Sequence, residues 1–196
     1  MEPRAPIHGA EGVRAAKAVV VSDTHGNLEG LRAAVREITS KEEIDLFIHL
    51  GDDYEDAEVL DEFGYSYLRV PGVFHDLYAD ATVPNRLVEE LEGWKFLISH
   101  THESHPHDLA GDPAPEKLVA SGKVDVVLFG HLHMPSIEVR NRVLMVNPGH
   151  LKESDKRGFA PTYAVLDVTR ERIGVRIIEL GSGEVVEKAV FKRVKE

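Results

Sequence analysis

The sequence predicts one α/β domain that contains two β-sheets, the later of them mostly antiparallel. Its 196 residues, of which 42% are hydrophobic, are enough for a single domain with a proper core. The first half alternates short apolar runs with helical patterns, which favours a parallel sheet covered by helices. The second half consists mainly of strand-like runs joined by short turns, which favours antiparallel pairing.

The predicted elements of the first half follow from residue periodicity. Residues 17–21 are rich in β-branched side chains and predict a strand that runs into a polar loop. The predicted order is a strand at 17–21, a helix with Leu28, Leu31, Val35 and Ile38 on one face, a strand at 45–50, a helix that contains Val59, Leu60 and Phe63, and a strand at 67–70.

The second half opens with a predicted hairpin, in which Glu92 and Gly93 form the turn between residues 86–91 and 94–99. One helical pattern, at 113–121, interrupts the strands. The remaining predicted strands are 124–129, 137–139, 143–146, 162–168, 173–180 and 185–194, and the last three form a meander.

The termini and the composition limit the class of protein. Residues 1–16 mix proline, glycine, arginine and glutamate, and we interpret them as a flexible N-terminal extension before a single domain at 17–196. They lack the apolar stretch of a signal peptide, and no run in the chain approaches the roughly 20 residues that span a bilayer. A cytoplasmic location without a membrane partner is the default prediction. The chain has no cysteine, so imidazole and carboxylate groups must hold any metal.

The formal net charge of −11 bears on the substrate. A protein that binds long nucleic acid usually carries a basic stripe, because neutralisation of phosphates supplies most of the affinity. The most basic stretch here, residues 192–195, is short, so a nuclease acting on long nucleic acid is disfavoured. Two divalent cations would add four positive charges at one place, so an acidic protein can still bind a small phosphorylated substrate.

Residues that can bind metal fall directly after predicted strands. In a wound α/β sheet the carboxyl ends of the strands open onto one crevice, so the loops that follow them should converge. Each motif alone has an ordinary explanation, such as a turn aspartate or a surface histidine, and only the combination indicates a metal site. The residues are Asp23, His25, Asp52, His100, His131 and His133.

This donor set predicts a particular chemistry. Imidazole and carboxylate groups without thiolate suit Mn, Fe, Ni, Zn or Co and do not choose among them. Two such cations about 3.5–4 Å apart can share a hydroxide, make it available at neutral pH and aim it at phosphorus. A carboxylate is the natural bridge, since its two oxygens can serve two metals. The histidines must be neutral to bind metal, so the affinity should fall in acid.

The same residues carry a family resemblance. The segments at 22–27, 51–52, 100, 130–133 and 147–149 resemble the ordered motifs of calcineurin-like metallophosphoesterases, in particular the short bacterial and archaeal phosphodiesterases. The retromer scaffold subunit shares their fold. The resemblance covers the chain from about residue 17 onwards, and it implies a four-layer α-β-β-α sandwich with two mixed central sheets flanked by helices.

The resemblance also implies a binuclear centre of divalent transition metals, with manganese as the expected metal. Asp52 would bridge the two ions. The first ion would be held by Asp23, His25, Asp52 and His133, and the second by Asp52, His100 and His131.

One family motif is incomplete in this sequence. Relatives carry Gly-Asn, then His or Cys, then Asp or Glu, and the Asn completes the second metal site and contacts the substrate phosphate. The corresponding stretch here is 71–76, with Val73 in the position of the Asn. A valine side chain cannot bind a metal. A shift of one residue would place Phe74 there, which does not restore the Asn.

Several interpretations of this loop are open. His75, the predicted catalytic residue, could replace the missing ligand or protonate the leaving group, or it could be an ordinary loop histidine. Water could fill the gap, or the second metal and catalysis could be lost. The run 100–107 is rich in histidine; His102, His105 or His107 could assist the metal site, although a solvated polar loop is the simpler account.

The predicted function is hydrolysis of phosphodiesters or phosphomonoesters on a small substrate. The alternative is a weakly active or inactive protein that keeps this fold to bind a protein partner, and Val73 is the main feature in its favour. Retention of both His131 and His133 favours the enzyme, because a pure scaffold has no need of them. The sequence is compatible with a homo-oligomer.

Overall fold

Two β-sheets packed face to face form the centre of the computed structural model, which describes residues 15–193. The helices in that range are α1 (Leu28–Thr39) and α2 (Pro115–Ala120), with 3₁₀ segments at Tyr54–Phe63 and Asp76–Ala79. The strands, in chain order, are β1 (Ala16–Val21), β2 (Leu46–His49), β3 (Tyr67–Arg69), β4 (Arg86–Leu91), β5 (Trp94–Ser99), β6 (Val126–Leu128), β7 (Ser136–Arg140), β8 (Val143–Asn147), β9 (Thr162–Val168), β10 (Arg172–Glu179) and β11 (Val185–Lys192).

The first sheet has the strand order β11-β10-β9-β1-β2-β3. Strands β1, β2 and β3 run parallel, as the sequence predicts. Strand β9 pairs antiparallel with β1, and the meander continues through β10 and β11. Val21 lies opposite His49 in the register, so β1 and β2 end side by side. The loops that follow these two strands therefore start at the same edge of the sheet.

The second sheet has the order β4-β5-β6-β8-β7. Strands β5, β6 and β8 are parallel, whereas β4 and β7 join as antiparallel hairpin partners. The prediction that the later sheet is mostly antiparallel is wrong, because two of its four pairings are parallel and the C-terminal meander belongs to the first sheet. The physical reason is burial. Six of the seven residues of β9 are buried, so β9 needs a position that is covered on both faces.

Three apolar layers separate the elements of the fold. Side chains from both sheets, such as Val20, Leu128 and Leu166, form the central core. The outer face of the first sheet packs against α1, and the outer face of the second packs against α2 through Val119. Val21, next to Val20 on β1, belongs to the layer under α1, since neighbouring strand residues face opposite sides. The predicted four-layer α-β-β-α sandwich with two mixed sheets is confirmed.

The helical segments differ from the prediction in type and length. Helix α1 begins after Asn27, whose side chain accepts a hydrogen bond of 3.0 Å from the Gly30 N–H. The predicted second helix is a 3₁₀ segment that ends at Gly64, where φ is 72°. The predicted helix at 113–121 begins only at Pro115, because proline lacks the N–H that a helix interior needs and fits its first turn.

The described structure begins inside the predicted N-terminal extension. Strand β1 starts at Ala16, one residue before the predicted strand, and residues 1–14 of the extension lie outside the described residues, as do residues 194–196. Within residues 15–193, no helix has the length and apolar character needed to cross a membrane.

Candidate metal centre

The six residues predicted to bind metal all lie on loops at one end of the sandwich. These loops follow the C-terminal ends of β1, β2, β5 and β6. Strands β1 and β2 pair in parallel in the first sheet, and β5 and β6 pair in parallel in the second. In each sheet the two loops therefore open onto a common edge. The residues on them are Asp23, His25, Asp52, His100, His131 and His133.

Four of these residues bring their donor atoms into one group. The ligand-capable atoms of Asp23, His25, Asp52 and His133 all lie within 4.8 Å of one another. His25 Nε2 is 2.6 Å from Asp52 Oδ2 and 3.0 Å from His133 Nε2. His133 Nε2 is in turn 3.3 Å from Asp23 Oδ1. Two carboxylates and two imidazoles at this spacing fit a divalent transition metal.

The other two histidines meet on the second oxygen of Asp52. His100 Nε2 is 3.4 Å from Asp52 Oδ1 and 3.3 Å from His131 Nδ1. Asp52 thus turns Oδ2 towards His25 and Oδ1 towards His100. Burial alone would raise the pKa of Asp52, but the hydrogen bond with His25 and the charges of nearby histidines lower it. An ionised carboxylate placed in this way has an oxygen free for each of two cations.

The backbone of these loops adopts the same unusual conformation five times. Among residues 15–193, eight non-glycine residues have a positive φ, and three of them lie in hairpin turns, where this conformation is expected. A left-handed residue with a β-carbon costs roughly 1–2 kcal/mol, and such strain clusters at functional sites. The other five are Asp23 (53°), His25 (48°), Asp52 (69°), His131 (65°) and His133 (57°).

Asp23 is held in place from two sides. Ser22 Oγ donates a hydrogen bond of 2.5 Å to Asp23 Oδ2, and the His131 backbone N–H donates to the same oxygen at 3.0 Å. A β-carbon on Gly130 would lie 2.0 Å from Ser22 Oγ and 2.6 Å from Asp23 Oδ2, so only glycine allows this approach. The fixed carboxylate keeps Oδ1 facing His133.

His100 is oriented by the main chain. Its Nδ1 donates to the Leu50 carbonyl at 2.7 Å, so Nε2 is the unprotonated nitrogen that faces Asp52 and His131. Burial, assisted by the charge of His100, lowers the pKa of His131. His131 therefore favours the neutral form that can bind a metal.

One residue of the candidate site that the sequence did not indicate, Asp155, lies behind His133. His133 Nδ1 donates to Asp155 Oδ2 at 2.7 Å, which turns Nε2 towards Asp23 and His25. This hydrogen bond lowers the pKa of Asp155 to about 2. The hydrogen bond with Asp23, opposed by burial, raises the pKa of His133. A carboxylate behind a metal-binding histidine fixes its tautomer and its orientation.

Asp155→Asn should weaken metal binding by about 10- to 100-fold, because the amide no longer fixes the His133 tautomer. Titration of the full-length protein with Mn²⁺, followed by calorimetry, measures the change. Glu153→Gln is the matched control, since Glu153 is an exposed acid of the same loop. Equal Mn²⁺ affinity in Asp155→Asn and the wild type would show that the contact does not orient His133.

A buried polar group supports the loop after β1. Asp56 accepts hydrogen bonds from Thr24 Oγ1 at 2.5 Å and from the Gly26 N–H at 2.9 Å. Asp56 is itself buried. His49 is fully buried, with Nε2 3.3 Å from Thr24 Oγ1, and burial lowers its pKa to about 4. His49 is therefore a neutral histidine of the core.

The loop that carries the predicted catalytic histidine packs on the candidate metal site. A β-carbon on Gly72 would lie 2.5 Å from Asp52 Cα. Val73 is buried, while Phe74 is 72% exposed. His75 Nδ1 accepts from the Leu77 N–H at 3.2 Å, and Nε2 is 2.9 Å from Glu55 Oε2. His75 is thus hydrogen-bonded outside the donor groups, and its catalytic role stays a prediction.

The histidine-rich loop is anchored rather than loose. The buried Arg86 side chain donates to both oxygens of Asp108, at 2.9 and 3.0 Å, and Tyr78 donates to Asp108 at 2.6 Å. His107 Nδ1 donates to the Val73 carbonyl at 2.9 Å, which ties this loop to the one before it. Within the described part of the chain, no histidine of 102–107 belongs to the four-residue donor group.

Comparison with known protein families places the chain. The family model for the calcineurin-like phosphoesterase superfamily domain matches residues 17–171. The chain belongs to this superfamily. Phosphodiesterase MJ0936 of Methanocaldococcus jannaschii is 26% identical over 176 residues, which cover 82% of this chain and 98% of the relative. Phosphodiesterase YfcE of Escherichia coli strain K12 is 28% identical over 172 residues, which cover 77% of this chain and 87% of the relative.

Solved structures share the fold of this superfamily member. A predicted phosphoesterase from Streptococcus pneumoniae has a TM-score of 0.69 and 23% identity, covering 93% of this chain and 100% of that chain. Vps29 from Entamoeba histolytica, complexed with Zn²⁺, has a TM-score of 0.66 and 17% identity, covering 90% of this chain and 99% of that chain. At these identities the likeness shows the fold alone.

Proposed function

We propose that this protein is a metal-dependent hydrolase that acts on a phosphodiester or phosphomonoester of a small substrate. The observation that carries the proposal is the convergence of donor atoms from Asp23, His25, Asp52 and His133 within 4.8 Å. Membership of the phosphoesterase superfamily and the phosphodiesterase relatives support a hydrolase. The proposed domain spans residues 17–196, and the proposed location is the cytoplasm.

The proposed centre is binuclear, with Asp52 shared between the two sites. Manganese is the expected metal, and Fe, Ni, Zn or Co also suit the donors. When bound, the ions supply Lewis-acid stabilisation of the phosphate oxygens and a water of lowered pKa. We assign Asp23, His25, Asp52 and His133 to the first site and Asp52, His100 and His131 to the second.

The protein's own groups prepare this centre before any ion arrives. Ser22 and the His131 N–H hold the Asp23 carboxylate, and the Leu50 carbonyl and Asp155 hold the His100 and His133 tautomers. Fixed donors need no reorganisation during the reaction, which is the main source of electrostatic catalysis. The chain has a net charge of −11, so it would repel a phosphorylated substrate if the centre held no cations.

A specific observation favours a second candidate function, a scaffold that binds a protein partner. Val73 is buried and offers no donor at the position where relatives carry Asn. Solved structures with this fold include Vps29 proteins from Cryptosporidium parvum and Entamoeba histolytica. The scaffold candidate predicts that hydrolysis is weak or absent even when metal is bound.

The deciding experiment measures metal and turnover together. Full-length protein is incubated with Mn²⁺, Zn²⁺, Ni²⁺ or Fe²⁺, its bound metal is counted, and it is assayed on bis(p-nitrophenyl) phosphate, p-nitrophenyl phosphate and alkyl phosphate esters. We expect bound metal and metal-dependent hydrolysis of at least one ester. Protein that stays metal-free would contradict the enzyme proposal, and bound metal without turnover would favour the scaffold.

His75→Ala separates the two roles proposed for His75. We expect unchanged metal content, because both ring nitrogens are hydrogen-bonded to Leu77 and Glu55 and neither joins the donor groups. The rate should fall by about 100-fold or more on alkyl esters, which need a protonated leaving group, and little on nitrophenyl esters. Lower metal content that added Mn²⁺ restores would instead indicate a ligand. No change in either quantity would make His75 an ordinary loop histidine.

A further inference from the structure

We propose a second binding site, for a small organic anion, at the end of the sandwich opposite the metal centre. A cavity of about 740 Å³ lies there, a volume within the range of roughly 300–1,000 Å³ typical of small-molecule pockets. Its walls come from the start of β5, the segment before β6, the β7–β8 and β9–β10 turns and the end of β11. The parallel strands β5, β6 and β8 begin at this end of the sandwich, whereas the predicted metal ligands follow the C-terminal ends of parallel strands.

The lining of this cavity is basic in an acidic protein. Two carboxylates, from Asp125 and Glu171, face four cationic side chains, although the chain as a whole has a net charge of −11. Asp125 already accepts a hydrogen bond of 2.8 Å from the Lys95 backbone N–H. A concave surface of one charge sign concentrates ions of the opposite sign. The four cationic residues are Arg142, Arg170, Lys192 and Arg193.

The cationic side chains of the cavity differ in the contacts that they make within the protein. Arg193 donates to the Arg170 carbonyl at 3.0 Å and lies 4.1 Å from the Trp94 ring centre, so it helps to close the core at this end. Neither Arg142 nor Lys192 forms an ion pair with a residue in the described range 15–193. Their positive charges are therefore available to a ligand.

Two hairpins of the second sheet show why Arg142 is informative. The β4–β5 turn has φ values of 51° at Glu92 and 76° at Gly93, and the β7–β8 turn has 50° at Asn141 and 66° at Arg142. Glycine is favoured at the second position of such turns, because a β-carbon disfavours the left-handed conformation. Gly93 follows this rule and Arg142 breaks it. Arg142 thus occupies a position that glycine would suit better, and its side chain forms no ion pair among residues 15–193.

The apolar part of the lining defines the ligand further. Trp94, Val124, Val143 and Phe191 line the same cavity as the cations. A ligand that matches both parts carries two or more negative charges on a compact apolar or aromatic body. Organic phosphates have this chemistry. The concave walls favour a small molecule over a long acidic chain, which would need an extended basic surface.

The test is calorimetric titration of the full-length protein with ADP, pyrophosphate and adenosine, after passage over a chelating resin so that no anion binds through a metal. We expect ADP to bind, pyrophosphate to bind more weakly and adenosine not to bind. Arg142→Gly and Lys192→Ala should each weaken ADP binding by about tenfold, as for the loss of one charge-assisted contact. Arg142→Gly should also melt no lower than the wild type, since glycine suits the turn.

Lys188→Ala is the matched control, because Lys188 is an exposed lysine of the same strand as Lys192 and lies outside the cavity. It should bind ADP as the wild type does. An equal loss of ADP affinity in Lys188→Ala would mean that any lost positive charge has the same effect, and it would overturn the proposal. ADP that fails to bind the folded wild type, or that binds Arg142→Gly undiminished, would overturn it as well. Binding of an acidic peptide without binding of ADP would do the same.

Discussion

Asp52→Asn should lower the rate of phosphate-ester hydrolysis by well over 100-fold without loss of the fold. The two carboxylate oxygens of Asp52 face two different imidazole rings, Oδ2 that of His25 at 2.6 Å and Oδ1 that of His100 at 3.4 Å. Loss of an outer partner of a metal ligand already costs about 10- to 100-fold, and loss of a shared ligand affects both proposed sites. Steady-state rates in saturating Mn²⁺, together with counts of bound metal, measure the effect.

Asp53→Asn is the control for Asp52→Asn, because Asp53 is the next residue and its side chain makes no cap hydrogen bond. Its rate should stay close to that of the wild type. Circular dichroism and thermal melting should show that both variants are folded. Near-normal turnover in Asp52→Asn would mean that Asp52 is a turn residue and that the proposed centre is misplaced.

His133→Ala should remove the first metal while leaving the protein folded. His133 Nε2 lies 3.0 Å from His25 Nε2 and 3.3 Å from Asp23 Oδ1, so its loss opens the four-donor group and also leaves Asp155 without its partner. The loss of affinity should exceed the roughly 10- to 100-fold expected for Asp155→Asn. Calorimetric titration with Mn²⁺ or Zn²⁺, together with metal counting, measures it.

His102→Ala serves as the control for His133→Ala, since it also removes an imidazole but lies outside the four-donor group.

Wild-type metal affinity should fall as the pH falls through the pKa of His133, because a protonated imidazole cannot bind a metal. That pKa is raised from 6.5, so the fall should begin above pH 6.5. Unchanged metal binding in His133→Ala would remove this residue from the centre.

The sequence was most informative where a strand end decides the position of a side chain. Asp23, Asp52, His100 and His131 were predictable because parallel strands deliver their following loops to one edge. Asp155 was not, because it lies in the middle of the long loop between β8 and β9 rather than directly at a strand end, and only the tertiary fold brings it to His133. Its position in the chain offers no periodic or spacing signal.

The arrangement of strands was less predictable than their existence. Local alternation indicated each strand of the C-terminal meander, but it could not show that β9 pairs with β1, where Ala16 lies opposite Val168. Pairing between strands so distant in sequence depends on which edge of the sheet is open, which is a property of the whole fold. The same holds for Asp56, whose burial follows from the path of the loop after β1.

The left-handed residues of the proposed metal loops carry backbone strain at the positions of the candidate ligands. A glycine or asparagine at His25 or His131 would relax the backbone, since both residues hold φ values that a β-carbon disfavours. Each such replacement would remove roughly 1–2 kcal/mol of backbone strain, but it would also remove contacts of the imidazole, such as that of His25 with Asp52 at 2.6 Å. The apoprotein thus holds these side chains in position at a cost in backbone free energy.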